Sequence, residues 1–310
     1  MKIIHRSCCA IRRGFTFIEA LTVASGVSVL LALLVPAVQN ARDSERDVLC
    51  LNRLKQLGLA LHNYHDSHLT FPPGWVSRRP DAGGYSSTGW HNQILPYVNQ
   101  GKLYSVIGPR DGLRIPTNEQ RTLLQTAVVE FRCNSDSVGE MNPLRGDWGT
   151  TNYMGNFGPQ PIPRWSESDF WPEQINNLKN GTAKQHFPGI FNVNSSTNIS
   201  QITDGTSQTL LVGERSVIGR SGIWPGPRSN FHESDVVADG SYASPLNHSD
   251  TGFSSRHSKS VINFVLCDGS ARSIHESVNS LPDLTDSRLA RGIFQKLAGE
   301  NDGMVVGGGW

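Results

Sequence analysis

The sequence predicts an α+β protein: a long N-terminal hydrophobic spine helix packed on an antiparallel β-sheet head with long loop insertions. Three observations predict it. A run of 24 residues from Phe15 to Val38 carries a single charge, Glu19. An amphipathic stretch, apolar at intervals of three and four, continues that run to about residue 68. The remainder is rich in Gly and Pro, with short apolar runs bounded by turn residues, as in a β domain.

The apolar run comes first. As a helix rising ~1.5 Å per residue it spans roughly 36 Å, enough to cross a hydrocarbon core about 30 Å thick with some tilt. Lys2, Arg6, Arg12 and Arg13 precede it with no acid among them. The positive-inside rule therefore keeps the first residues cytoplasmic and exports the rest. A plain secretory signal peptide needs a shorter apolar region before a small-x-small site; Val35-Pro36-Ala37 is a passable site behind too long a run. Cys8 and Cys9 lack the preceding apolar region of a lipoprotein signal. Glu19 is the exception to the pattern, because a charge near a bilayer core is costly and usually has a partner or a job.

The next segment, 39–68, reads as an amphipathic continuation of the spine. Val48, Leu51, Leu54, Leu57, Leu61 and Tyr64 form one apolar stripe, and charges from Arg42 to Lys55 occupy the other faces. Phe71-Pro72-Pro73-Gly74 stops the helix. In the head, 69–310, Thr209–Glu214 reads as a buried strand. Ser260–Cys267 is the strongest strand, followed by Asp268-Gly269 as the positive-φ positions of a tight hairpin and a return through Ala271–Ile274. Residues 137–200 read as a looped insertion with Trp148, Tyr153, Phe157, Trp165, Phe170 and Trp171 along it. A last helix is expected over Asp286–Leu297.

Removing residues 1–14 would leave 24 Lys and Arg against 27 Asp and Glu, a mild acidity that gives no footprint for nucleic acid. It would also remove Cys8 and Cys9, leaving Cys50, Cys133 and Cys267. In an oxidising compartment a Cys50–Cys133 bridge would tie the spine to the head, worth ~4–5 kcal/mol in the chain-entropy account. A Cys133–Cys267 pairing, or none, stays open.

Arg12-Arg13-Gly14-Phe15-Thr16-Phe17-Ile18-Glu19 closely resembles the type IV prepilin and pseudopilin signal. The resemblance implies a pilin-like fold, a leader of residues 1–14, and cleavage by a prepilin peptidase after Gly14 with methylation of Phe15. Glu19 would then be the fifth residue of the processed chain. It would be the assembly contact that neutralises a neighbouring subunit's Phe15 ammonium, a pairing that needs good geometry to repay its burial. Pro36 falls where pilin helices often carry a kinking proline. The implied partners are the peptidase, other pilin or pseudopilin subunits, an inner-membrane assembly platform and membrane lipid, with no nucleic acid. The implied location is the inner membrane, single-pass, with the head in the periplasm or an extracellular filament.

Further motifs narrow the resemblance. They are Cys50 to His65 with Phe71–Gly74, Leu95–Gln100 with Leu103-Tyr104, Phe131–Asp136, Thr151–Asn156, Ile202–Thr209, Arg256-His257, and Cys267–Ser270. Together they are similar to a large planctomycete family of unknown-function proteins with prepilin-type N-termini and a C-terminal H-x9-D-G motif. Ten residues separate His257 from Asp268 here, where that family has nine. His257, Asp268 and Gly269 are read as structural.

No metal spacing stands out around His257, Asp268, His232, His248 and His275, no D-x-D-x-D-G calcium ladder occurs at Asp204-Gly205 or Asp239-Gly240, and Ser207 and Ser270 lack a G-x-S-x-G setting. No cofactor and no enzymatic activity are therefore expected. Two functions stand: a pseudopilin-like structural subunit of a secretion or pilus-like filament, or a membrane-tethered module binding a glycan or secreted substrate through the aromatic insertion, whose aromatics read first as the core of a sheet extension.

Overall fold

The computed structural model describes residues 16–77, 87–107, 118–137, 139–159, 162, 189–217, 220–227, 233–241, 243–280, 292–300 and 306. The chain divides into two compact units, Met1–Glu45 and Arg46–Trp310. Helix α1, Phe17–His68, contributes residues to both.

In the first unit the helix is apolar and unburied. Phe17 is 83% and Leu33 69% exposed, and no residue from Thr16 to Arg42 is buried. Its hydroxyls are satisfied within the helix: Thr22 Oγ1 donates to the Glu19 carbonyl, Ser25 Oγ to Thr22 and Ser28 Oγ to Ala24, at 2.8–2.9 Å. Such back-bonding removes the polar cost of a hydroxyl in lipid. Pro36 lies inside the helix, where it has no N–H to offer the Ala32 carbonyl.

In the second unit, residues 46–68 of α1 bury Cys50, Leu54, Leu57, Gly58, Ala60, Leu61 and Tyr64. The stripe runs through Cys50 rather than Val48 and Leu51, since Val48 is 57% exposed and Leu51 half-buried. Cys50 is joined to Cys133, and that tether decides which face of the first turn meets the head. The helix ends at His68, with Leu69 left-handed (φ 61°) before the two prolines.

Five strands form the main sheet: β5 (Tyr153–Gly158), β6 (Leu210–Glu214), β8 (Val237–Asp239), β9 (Val261–Leu266) and β10 (Ala271–His275), in the order β10-β9-β6-β5-β8. All neighbours are antiparallel except β5 and β8. The sheet is thus mixed, because β8 joins the edge alongside β5 in the same direction. A three-stranded antiparallel sheet contains β3 (Met141–Asn142), β4 (Trp148–Thr151) and β7 (Gly222–Ile223). A two-stranded pair holds β1 (Trp75–Ser77) and β2 (Ser87–Gly89). Short helices α2 (Trp90–Ile94), α3 (Gly101–Ile107) and α4 (Asn118–Leu124) follow β2, and α5 (Ile293–Ala298) closes the described chain.

Strand alternation gives the main sheet two buried faces. Tyr153, Val212, Val265 and Cys267 join the α1 residues in one core, with Trp90, Phe131 and Trp224. Met154, Ile262, Phe264 and Leu266 pack on the other side with Phe253, Phe294 and Leu297. Gly58 lets α1 approach β9: a Cβ there would lie 2.8 Å from Val265 Cγ2.

Two expectations change. The stretch 137–200 is not simply a looped insertion, since its first part supplies β3, β4 and β5. Tyr153 and Phe157 are core residues, and Trp148 packs against that core beneath the Arg121 guanidinium, 5.7 Å from the ring centroid. Trp165, Phe170 and Trp171 lie outside the described residues. At the β9–β10 turn only Gly269 has positive φ (82°). The Gly269 amide donates to the Leu266 carbonyl and the Leu266 amide to Ser270, so the connection is a three-residue turn with glycine at the left-handed position, not a two-residue one. Of the expected Asp286–Leu297 helix, residues 286–291 lie outside the described residues.

Candidate functional site

Two places gather the residues singled out by sequence. The first is the start of α1. The Thr16 backbone N–H and hydroxyl both donate to the Glu19 carboxylate, at 2.9 and 2.8 Å, and the Glu19 amide donates to Thr16 Oγ1 at 3.3 Å. This reciprocal pair is a capping box, in which a Thr and a Glu three residues on satisfy each other's orphan donors. Glu19 is therefore an N-terminal cap in the single chain, exposed and accessible. Gly14 and Phe15 lie outside the described residues.

The second place is a buried cluster around the Cys50–Cys133 disulfide, with Cα atoms 5.2 Å apart. Helix α1 supplies Cys50 and, one turn earlier, Asp47. The loop after a short turn at Val129–Phe131 supplies Cys133. Strand β6 ends in Glu214, and the segment before β9 supplies His257. The His257 ring lies between two acids: Nδ1 is 2.5 Å from Asp47 Oδ1, and Nε2 is 3.0 and 3.1 Å from the Glu214 oxygens. Alternation along β9 turns Asn263 to the α1 side, where its amide and its side-chain N–H₂ both donate to Glu214, at 3.0 and 3.2 Å. Cys133 Sγ is 3.9 Å from His257 Nε2. Cys50, Cys133, Glu214 and His257 each place one donor atom within 4.8 Å of the others.

Nδ1 faces the Asp47 carboxylate, while Nε2 faces the Glu214 carboxylate and, at 3.0 Å, the Asn263 side-chain nitrogen. Burial alone would lower the His257 pKa. The hydrogen bond and charge of Glu214, with those of Asp47, outweigh it, and the net shift is upward. His91 shows the opposite case. It is fully buried with its Nε2 donating to the Tyr153 carbonyl at 2.8 Å, and burial pushes its pKa down to about 3.

The loop around Cys133 is held from several sides. The Cys133 amide donates to Asn152 Oδ1 (3.0 Å), Tyr153 Oη donates to the Cys50 carbonyl (3.3 Å), and Arg53 donates to the Arg132 carbonyl and to Asn134 Oδ1. Asp136 accepts from the Val217 amide and Ser221 Oγ. Arg215 is buried and donates to four backbone carbonyls, of Gly252, Ser234, Val237 and Thr251. Segments far apart in sequence, namely Cys50–His65, Phe131–Asp136, Thr151–Asn156 and Arg256-His257, thus meet at one cluster.

The structure does not pair His257 with Asp268. The Asp268 side chain accepts from the Ser270 amide (2.8 Å), its own amide donates to the Thr206 carbonyl, and Cys267 donates to Thr209. It shapes the turn and binds the Ile202–Thr209 motif to the hairpin. His232 lies outside the described residues, while His248 and His275 bond within their own loops. Asp239 accepts from Ser241 and the Ile162 amide. Cys267 is a buried free thiol whose pKa burial raises well above the usual value, so it is inert. Asn198 caps the short turn at Ile199–Gln201. Asp47, Glu214 and Asn263 escaped the sequence reading. The available signals were a polar residue inside the apolar Val261–Leu266 run and the acid closing a buried strand.

Fold and cluster together define an α+β head, cross-linked by a disulfide to a helix whose N-terminal part is apolar and unburied. The chain matches the family described as Protein of unknown function (DUF1559) over residues 39–281, and it belongs to that family. No curated protein matches it significantly, and neither does any solved structure.

Proposed function

We propose that the chain is a pseudopilin-like structural subunit, anchored in the inner membrane by the first part of α1 and assembled through that helix into a filament that displays the head. One observation supports the reading: within its own compact unit the helix from Phe17 to Val38 is apolar and exposed among the described residues, a surface that lipid or the helices of other copies would cover. The basic residues before Gly14 and the charge-free run after Glu19 support an anchor entered from the cytoplasmic side. A prepilin peptidase, neighbouring subunits and an assembly platform are the partners this role requires.

The cap at Thr16 sharpens the test of Glu19. Gln serves in a capping box as Glu does, but it cannot neutralise an ammonium. Glu19→Gln should therefore keep the helix and abolish co-assembly with wild-type chains, read by cross-linking of membrane-derived filaments. Normal assembly of that variant would reduce Glu19 to a cap. Mass spectrometry of the mature N-terminus tests the processing: an N-methylated Phe15 is expected, and a start at Val38 would replace the subunit by an ordinary secreted protein.

A further inference from the structure

We propose that the Cys50–Cys133 disulfide covers a latent transition-metal site: in the dithiol state Cys50, Cys133, His257 and Glu214 bind one zinc-class divalent cation. The inference rests on the buried cluster and does not depend on the anchoring reading.

The donor set is the first argument. Two thiolates, an imidazole and a carboxylate are the ligand types of four-coordinate zinc, and here all four residues are buried with donor atoms within 4.8 Å of each other. In a tetrahedral zinc complex sulfur and nitrogen ligands lie about 3.6 Å apart, and oxygen and nitrogen about 3.3 Å apart. The observed Cys133 Sγ–His257 Nε2 distance is 3.9 Å and the Glu214–His257 Nε2 distances are 3.0 and 3.1 Å. Once unbonded, the two sulfurs need only separate to about 3.8 Å.

The surrounding shell is the second argument. Asp47 accepts from His257 Nδ1, which turns Nε2 toward Glu214 and Cys133 Sγ, the carboxylate–histidine arrangement that orients zinc ligands. Asn263 holds Glu214 through two hydrogen bonds. A small cleft lined by Cys133, Asp136, Glu214 and Arg256 reaches the cluster.

The chemistry balances. A dithiol reductant delivers two electrons and two protons, breaks the Sγ–Sγ bond and becomes a disulfide itself, leaving two Cys thiols. The cation then displaces both thiol protons and any proton held at Nε2, while Nδ1 keeps its proton and donates it to Asp47. Metal and disulfide would be alternative staples between α1 and the Cys133 loop.

The test uses the full chain in detergent, reduced anaerobically with a phosphine and titrated with Co²⁺. One equivalent should give a thiolate-to-cobalt charge-transfer band with intense tetrahedral ligand-field bands. Zn²⁺ should displace it, and the oxidised chain should give neither. His257→Gln, and Asp47→Asn at a partly exposed helix position, should weaken binding 10- to 100-fold, with circular dichroism of each oxidised variant reporting its fold. Absence of the band in the reduced chain, folded or not, would overturn the proposal. So would equal affinity in wild type and both variants, which would mean two thiols capturing metal unaided.

Discussion

His257 and His91 are the same residue type, yet their surroundings shift their pKa values in opposite directions. His257 has a carboxylate at each nitrogen, and His91 has a carbonyl. Removing the imidazole leaves Glu214 buried with only Asn263, and losing one partner of a buried pair costs about 3–5 kcal/mol. His257→Ala should lose that much in chemical denaturation; a loss below about 1 kcal/mol would mean that water reaches Glu214. Glu300 gives the clearest pH effect. Burial pushes its pKa from 4.5 up to about 8, so the folded chain holds the proton more tightly than the unfolded one. Its contribution is fully present below about pH 4.5 and is lost as pH rises through about 8. His91, depressed to about 3, acts in the other direction and costs stability as pH falls from 6.5 toward 3. The comparison must therefore be between variants: Glu300→Gln should lose less melting temperature than wild type between pH 4.5 and 8, and parallel profiles would contradict the assignment.

At the scale of elements, α1 serves two environments in one continuous helix. Its first part is apolar on every face, and its second part is apolar on one stripe, which is why the two parts were legible from periodicity. The close contact of α1 with β9 was not legible. Gly58→Ala gains up to about 1 kcal/mol of helix propensity but drives a methyl into Val265, 2.8 Å away. Overpacking costs about 1–3 kcal/mol, so net destabilisation is expected. A rise in melting temperature would show that Val265 can move aside. Strands β6 and β9 were visible because buried strands read as apolar runs. The short helices α2 to α4 fall below the length at which periodicity speaks. Strands β3 to β5 were hidden by the Asn, Gly and Pro that also mark loops.

For the whole molecule, the disulfide closes a separation of 83 residues. Cys133→Ser should cost about 4–5 kcal/mol in the chain-entropy account, measured without added metal. The anchoring proposal makes an independent prediction: the native chain should stay in the membrane fraction through alkaline extraction, and release into the supernatant would indicate cleavage after the apolar run.

The sequence by itself determined the α+β class, the long apolar helix, its amphipathic continuation to His68 and the β9–β10 hairpin. These follow from local properties: hydrophobic period, turn residues and charge-free length. Only the tertiary structure decided that Cys50 takes Cys133, that His257 lies between Asp47 and Glu214 rather than with Asp268, and that Asn263 supports the acid. Those choices join residues up to 210 positions apart. Periodicity carries no information about which distant polar groups will share one buried space, and the cost of burying each charge alone brings them together.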